Sequence, residues 1–331
     1  MPPFPSTTAD PSDGLRVQVV DYHTAGEPFR IVTGGVEPPR GATILERRRD
    51  ALERLDHVRR LVVFEPRGHA DMYGCHVVPP NDDGADLGVV FFHNAGYSTA
   101  CGHGTIALVT WAIESGRIGT RGAEVDVVVD VPSGRLPTVA RVEDGNVVSV
   151  RFRNVPAFVH ARGLVAAGRS VDVAFGGAFY ASLPERVEPA ELPRLIELGR
   201  AVKAELEARH EIVHPREPEL RDVYGVIFWQ TDGEAPLTQR NVTVFADGEV
   251  DRSPCGSGTS ARLALLHDEG RLAVGDALLH RSVVGSEFVG RVVEEVAEGV
   301  VTEVEGRAHL TGRHEFVLEP DDELGEGFLL R

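Results

Sequence analysis

Short valine-rich apolar runs alternate with charged amphipathic stretches along the whole chain. Val17–Asp21, Leu61–Glu65 and Gly88–Phe92 have the length and β-branched content of strands. Ala42–Leu55 (ATILERRRDALERL) places Ile44, Leu45, Ala51 and Leu55 roughly on one face of a helix. Val125–Val131 reads as a strand running into a Pro-Ser-Gly turn, and Glu188–Arg209 as the longest helix. Glycine-punctuated β-runs return from Ser282 to Phe316. Strands with few, well-spaced helices predict an α/β or α+β fold rather than a bundle.

An internal repeat organises these elements. CGHGTIALVTWAIESGRI begins at Cys101, and CGSGTSARLALLHDEGRL begins at Cys255. Aligned at the cysteines, the copies share Cys, Gly, Gly, Thr and Ala in their first seven positions. They close on Gly116-Arg117 and Gly270-Arg271 at the same offset. Each copy follows a β-like run (GVVFF, NVTVF) and a polar loop, and continues as an apolar helix ended by glycine, the usual residue at that position. The chain therefore reads as two similar half-units, each with a cysteine at the mouth of a helix. A length of 331 residues suits two domains.

Composition narrows the partners. A net charge of −17 argues against nucleic acid and anionic membrane surfaces, which need basic patches. No apolar run approaches the ~18 residues of a membrane span. The opening MPPFPSTTADPSDG has neither a basic nor an apolar segment of a signal peptide and reads as a disordered tail over residues 1–14. Three cysteines (Cys75, Cys101, Cys255) make no disulfide framework and point to a reducing, cytoplasmic setting. A homodimer is the base-rate expectation.

The helix mouths carry the chemistry. A cysteine there faces unsatisfied N–H groups and the positive end of the helix dipole, both of which favour the thiolate. The following glycines allow a ligand close to the backbone, and the same N–H groups can hold a carboxylate. Two such mouths supply a base on one side of a bound carbon and an acid on the other, the arrangement needed to invert an amino-acid α-carbon. Carboxylate binding would stabilise the enolate-like charge that develops. This chemistry requires neither cofactor nor metal. His103 lies among the first-turn glycines within reach of a ligand, whereas His23, His69 and His93 divide evenly between site and structure. Asp251, four residues before Cys255, suits either a substrate ammonium or a turn. Cys75 reads as a small buried hydrophobe.

Four other readings compete. Gly102-x-Gly104-x-x-Ala107 and Gly256-x-Gly258-x-x-Ala261 match a dinucleotide fingerprint, but each follows a cysteine and the motif occurs twice. His210–His214 (HEIVH) matches a zinc-protease pattern, but Pro215 disfavours the helix it needs. A papain-like Cys–His nucleophile explains one cysteine and not the repeat. A binding protein for amino acids needs no cysteine at both mouths.

At these residues the sequence resembles the proline racemase superfamily. The resemblance is carried by DYHTAGEPFRIV (Asp21–Val32), EPRGHADMYG (Glu65–Gly74), HNAGYSTACGHGTIAL (His93–Leu108), AFGGAFYA (Ala174–Ala181) and VDRSPCGSGTSARLAL (Val250–Leu265). It implies a diaminopimelate-epimerase-like fold: two pseudo-symmetric α/β domains, each a mixed sheet wrapped around a central helix, with the active site in the interdomain cleft. The expected first domain is 15–143 plus 316–331 and the second 144–315. The resemblance makes Cys101 and Cys255 the catalytic pair. It assigns Gly102, His103, Asp251, Gly256 and Ser257 to the substrate, a proline or hydroxyproline. The wording, including HTAGEP, HNAGYS and the ending DDELGEGFLL, is most similar to trans-3-hydroxy-L-proline dehydratases. Those enzymes carry threonine at the second catalytic position, where this chain has Cys255. The intact second thiol restores an opposite-face acid, so the expected reaction is dehydration, 2-epimerisation or both. Proline racemase and 4-hydroxyproline 2-epimerase are the alternatives.

Overall fold

The computed structural model describes residues 14–330. The expected disordered tail lies, apart from Gly14, outside the described residues. Backbone contacts divide the chain into two compact units. The first holds the residues up to Ser98, Gly104–Val150 and the chain from Arg307 on; the second holds Thr99–His103 and Arg151–Gly306.

The first unit begins with β1 (Leu15–Thr24), β2 (Glu27–Gly34), α1 (Ile44–Arg54), α2 (Asp56–Val63), β3 (Tyr73–Val78) and β4 (Leu87–His93). The helix α3 (Gly102–Glu114) follows, then β5 (Glu124–Val131), β6 (Gly134–Glu143) and β7 (Asn146–Arg153), which crosses into the second unit. Strand β1 pairs antiparallel with β2, and β2 pairs parallel with β3. Strand β3 pairs antiparallel with β4, β4 parallel with β5, and β5 antiparallel with β6. A capping box starts α1: Thr43 accepts from the Glu46 N–H while the Glu46 carboxylate accepts from the Thr43 N–H. The predicted strand at Leu61–Glu65 is instead the end of α2. Val58, Leu61 and Val62 are buried together at i, i+3 and i+4, so a helical face overrides the local β-branched preference.

The second unit contains β8 (Phe158–Ala166), β9 (Arg169–Phe175), β10 (Phe179–Pro184), α4 (Leu192–Arg209), β11 (Val223–Glu234), β12 (Leu237–Phe245) and β13 (Glu249–Asp251). Then come α5 (Gly256–Asp268), β14 (Ala277–Ser282), β15 (Glu287–Val296) and β16 (Gly299–Gly306). Strands β9 and β10 pair antiparallel, β10 and β11 parallel, β11 and β12 antiparallel. Strands β12 and β14 are parallel, and β14 and β15 antiparallel. This is the order of pairings seen in the first unit, with β13 as an addition beside β12. The last strand, β17 (Ala308–Leu318), returns to pair antiparallel with β1.

The architecture is mixed α/β, and twice along the chain a cysteine-led helix connects two parallel strands: β4–α3–β5 and β12–α5–β14. Both helices are buried on every side through most of their length, α3 to Ile113 and α5 to Leu266. That burial explains why neither repeat sequence has a charged face opposite an apolar one, although it also encloses Thr105, Thr110, Thr259, Ser260 and Arg262. Buried clusters pack around α5, including Leu263, Ala264 and Leu266 with Leu278 and Val292, and Ala261 and Leu265 with Tyr180 and Ile227. No helix among the described residues is long and apolar enough to cross a membrane.

Candidate active site

Residues 99–103 belong to the second unit, so Cys101, Gly102 and His103 share it with Asp251, Cys255, Gly256 and Ser257. The five side chains in this set, those of Cys101, His103, Asp251, Cys255 and Ser257, are between 3% and 6% exposed. Gly102 and Gly256, the first residues of α3 and α5, touch. A Cβ on Gly102 would lie 2.5 Å from the Gly256 Cα, and one on Gly256 would lie 2.6 Å from the Gly102 Cα. The Phe152 ring closes the same spot. Only glycine permits this approach.

Beside Cys101 lies His103, whose ring nitrogens are 3.4 and 3.6 Å from Sγ. Burial, reinforced by the Arg252 charge, holds the His103 imidazole down at about 3. His103 is therefore neutral at physiological pH, and its 4.0 Å approach to Asp251 Oδ2 is not an ion pair. Burial pushes Asp251 up to about 6. Of the two readings of Asp251, the structure shows the turn. Its Oδ1 accepts from the Ser253 N–H at 2.8 Å and the Ser253 hydroxyl at 2.7 Å, closing a turn, while Oδ2 faces His103.

Ser253, which the sequence did not single out, also accepts from the Cys255 N–H at 3.1 Å. Asn241 on β12 donates to the Pro254 carbonyl at 2.8 Å. These bonds hold Cys255 at φ +63°, an uncommon conformation for a residue with a side chain. Tyr180, also missed, lies 3.7 Å from the Cys255 Sγ and 2.7 Å from the Ser257 hydroxyl. The quoted AFGGAFYA segment was the available signal for it, but nothing in that segment says which side chain reaches a cysteine. Burial, then the Asp251 charge, push the Cys255 thiol up to about 12. The Gly258 N–H pulls it down, as a helix mouth should, followed by Tyr180 and Thr243. The expectation of a thiolate near neutral pH therefore fails for Cys255, because desolvation outweighs the helix mouth. In this state the Cys255 thiol keeps its proton at neutral pH.

The remaining candidates lie elsewhere. His23 accepts from the Gly26 N–H, the exposed His69 contacts its neighbouring carbonyl, and His93 accepts from the Ala95 N–H, all in the first unit. Cys75 is fully buried on β3, and burial raises its thiol far above the usual range. The helix α4 ends at Arg209, so His210–His214 lies outside it, and His214 accepts from the Arg216 and Glu217 N–H groups.

Taken together, the arrangement offers two thiols at two abutting helix starts, first-turn N–H groups for an anion, and one buried carboxylate for a cation. Known proteins resemble the chain over nearly its whole length. A sequence model described as proline racemase matches residues 19–329. The chain is 44% identical over 324 residues to a trans-3-hydroxy-L-proline dehydratase of Bacillus thuringiensis subsp. konkukian, covering 94% of this chain and 97% of the relative. It is 43% identical over 329 residues to a 3-hydroxyproline 2-epimerase of Burkholderia multivorans, covering 95% and 98%. A solved hydroxyproline epimerase from Agrobacterium vitis, with bound trans-4-hydroxy-L-proline, superposes with a TM-score of 0.88 at 32% identity over 96% of each chain. With the match spanning nearly its whole length, the chain belongs to the proline racemase family.

Proposed function

We propose that this enzyme removes the α-proton of trans-3-hydroxy-L-proline through Cys101 and then partitions the intermediate between 2-epimerisation and dehydration. The observation that carries the reading is Cys255, an un-ionised thiol in the same place on α5 that Cys101 holds on α3. The substrate carboxylate rests on first-turn N–H groups, and Asp251, ionised above about pH 6, pairs with the ring ammonium. The Cys101 thiolate takes the α-proton, leaving an enolate-like carbanion stabilised by those N–H groups. If the Cys255 S–H delivers its proton to the opposite face, the 2-epimer forms and the two thiols have exchanged roles. If the carbanion instead expels the β-hydroxyl, the C–O bond breaks, the departing hydroxide takes the proton held by Cys101 and leaves as water, and a pyrroline carboxylate and the Cys101 thiolate result. Relatives named for each outcome, at 44% and 43% identity, support both branches. The reading extends to a small-molecule substrate only, and the three free cysteines suit a reducing cytoplasm.

The test is NMR in D2O with trans-3-hydroxy-L-proline, trans-4-hydroxy-L-proline and L-proline. The expected result is α-deuteration of the 3-hydroxy substrate with a new diastereomer, a pyrroline product, or both. Preferential turnover of the 4-hydroxy compound or of proline moves the enzyme to the alternative activities. No α-exchange with any of the three removes the proposal.

A further inference from the structure

We infer that Tyr180 is a positioning residue for the second thiol, its hydroxyl changing from acceptor to donor as Cys255 loses its proton. The functional side of this inference rests on the reading that Cys255 exchanges protons with substrate; the structural side does not. Tyr180 is 1% exposed on β10 and belongs to a buried cluster with Ala178, Ile227, Ala261 and Cys255 itself. Its ring meets Tyr224 edge-on at 5.8 Å, and its backbone is paired on both sides, with Ala174 of β9 and Gly225 of β11. The hydroxyl is thus held in place, 2.7 Å from Ser257 Oγ and 3.7 Å from Cys255 Sγ.

A phenylalanine would fill this apolar cluster equally well, and a buried hydroxyl without partners is destabilising. The partners therefore account for the hydroxyl. A phenol has one proton to give. With Cys255 as a thiol, the S–H donates to the Tyr180 oxygen and the Tyr180 O–H donates to Ser257. With Cys255 as a thiolate, Tyr180 donates to sulfur and the Ser257 hydroxyl donates to Tyr180. The two hydroxyls reorient without either heavy atom moving, so one geometry serves both protonation states. Asp251 also meets this thiol, as a hydrogen-bond partner whose charge opposes the thiolate, and Arg252 acts on both Asp251 and His103. At Cys101 the neighbouring polar group is the neutral His103 instead.

The test isolates Cys255 in a Cys101→Ser background and follows its alkylation by iodoacetamide at a fixed pH of about 8, read by peptide mass spectrometry. Alkylation tracks the thiolate fraction, so adding Tyr180→Phe is expected to slow it about tenfold. Ser257→Ala, which leaves the tyrosine but removes the partner that fixes it, is expected to slow it about threefold. In the chain with both cysteines, Tyr180→Phe is expected to lower the ratio of epimer to dehydrated product about tenfold. Unchanged alkylation in folded Tyr180→Phe overturns the inference; if that variant does not fold, unchanged alkylation in Ser257→Ala does so. A protein that shows the alkylation effect but no α-exchange on any proline substrate keeps the Tyr180 assignment and loses the proposed reaction.

Discussion

The two cysteine-led helices match at their ends and differ at their mouths. At the C-terminal end the Ile118 N–H bonds the Ala112 carbonyl, and the Leu272 N–H bonds the Leu266 carbonyl, at identical offsets from their cysteines. Gly116 and Gly270 take φ of +75° and +68°. At the N-terminal end Cys101 has a neutral imidazole beside it, whereas Cys255 is held at φ +63° with a phenol, a carboxylate and a serine around it. A duplicated frame therefore presents two thiols in matching places, and the side chains around each mouth differ.

The largest expected contrast comes from removing each thiol in turn. Cys101→Ser should cut every reaction by about 1,000-fold if, as proposed, both branches begin with its base. Cys255→Ser should cut epimerisation by about 100-fold and change dehydration by less than about tenfold, measured as product ratio by NMR. Serine is the cleaner replacement, since threonine would add a β-branched side chain at positive φ. Equal loss of both products in the two variants would erase the proposed division of labour.

The contact between the mouths is tested by Gly102→Ala and Gly256→Ala. Each adds a methyl group within 2.6 Å of an opposing backbone atom, and each should lower unfolding stability by about 3 kcal/mol in denaturant titrations. A near-neutral effect in either would mean that the two helix starts do not abut in solution.

Asp251 gives a pH signature of its own. Its carboxyl is raised from 3.8 to about 6 in the folded chain, so between these values the folded state binds the extra proton. Its contribution is fully present below about pH 4 and is lost as pH rises through about 6, a change on the order of 3 kcal/mol. Asp251→Asn should remove that segment of the stability–pH curve, and an unchanged curve would show that the buried carboxyl is not its source. The smallest effect should come from Gly116→Ala and Gly270→Ala. Neither Cβ meets an atom within 4 Å, so each should cost only the positive-φ penalty, about 1 kcal/mol, equally at both ends.

Much of this comparison is local, and local features are legible in a sequence. The repeat, the glycine that ends each helix, the placement of both cysteines and the helix at Ala42–Leu55 depend on residues within a few turns of one another. The Leu61–Glu65 stretch was misread because a short apolar run suits either a strand or a buried helix, and only the surroundings of Val58, Leu61 and Val62 choose between them. Sequence alone thus determined that two thiols begin two buried helices, since periodicity, glycine and chain order suffice for that. The tertiary structure decided how each thiol is set. Tyr180 reaches Cys255 from 75 positions away, the paired glycines touch across more than 150 residues, and desolvation raises the Cys255 thiol against its own helix mouth. Acidity in a buried site depends on everything packed around the group, and that sum exists only after the chain has folded.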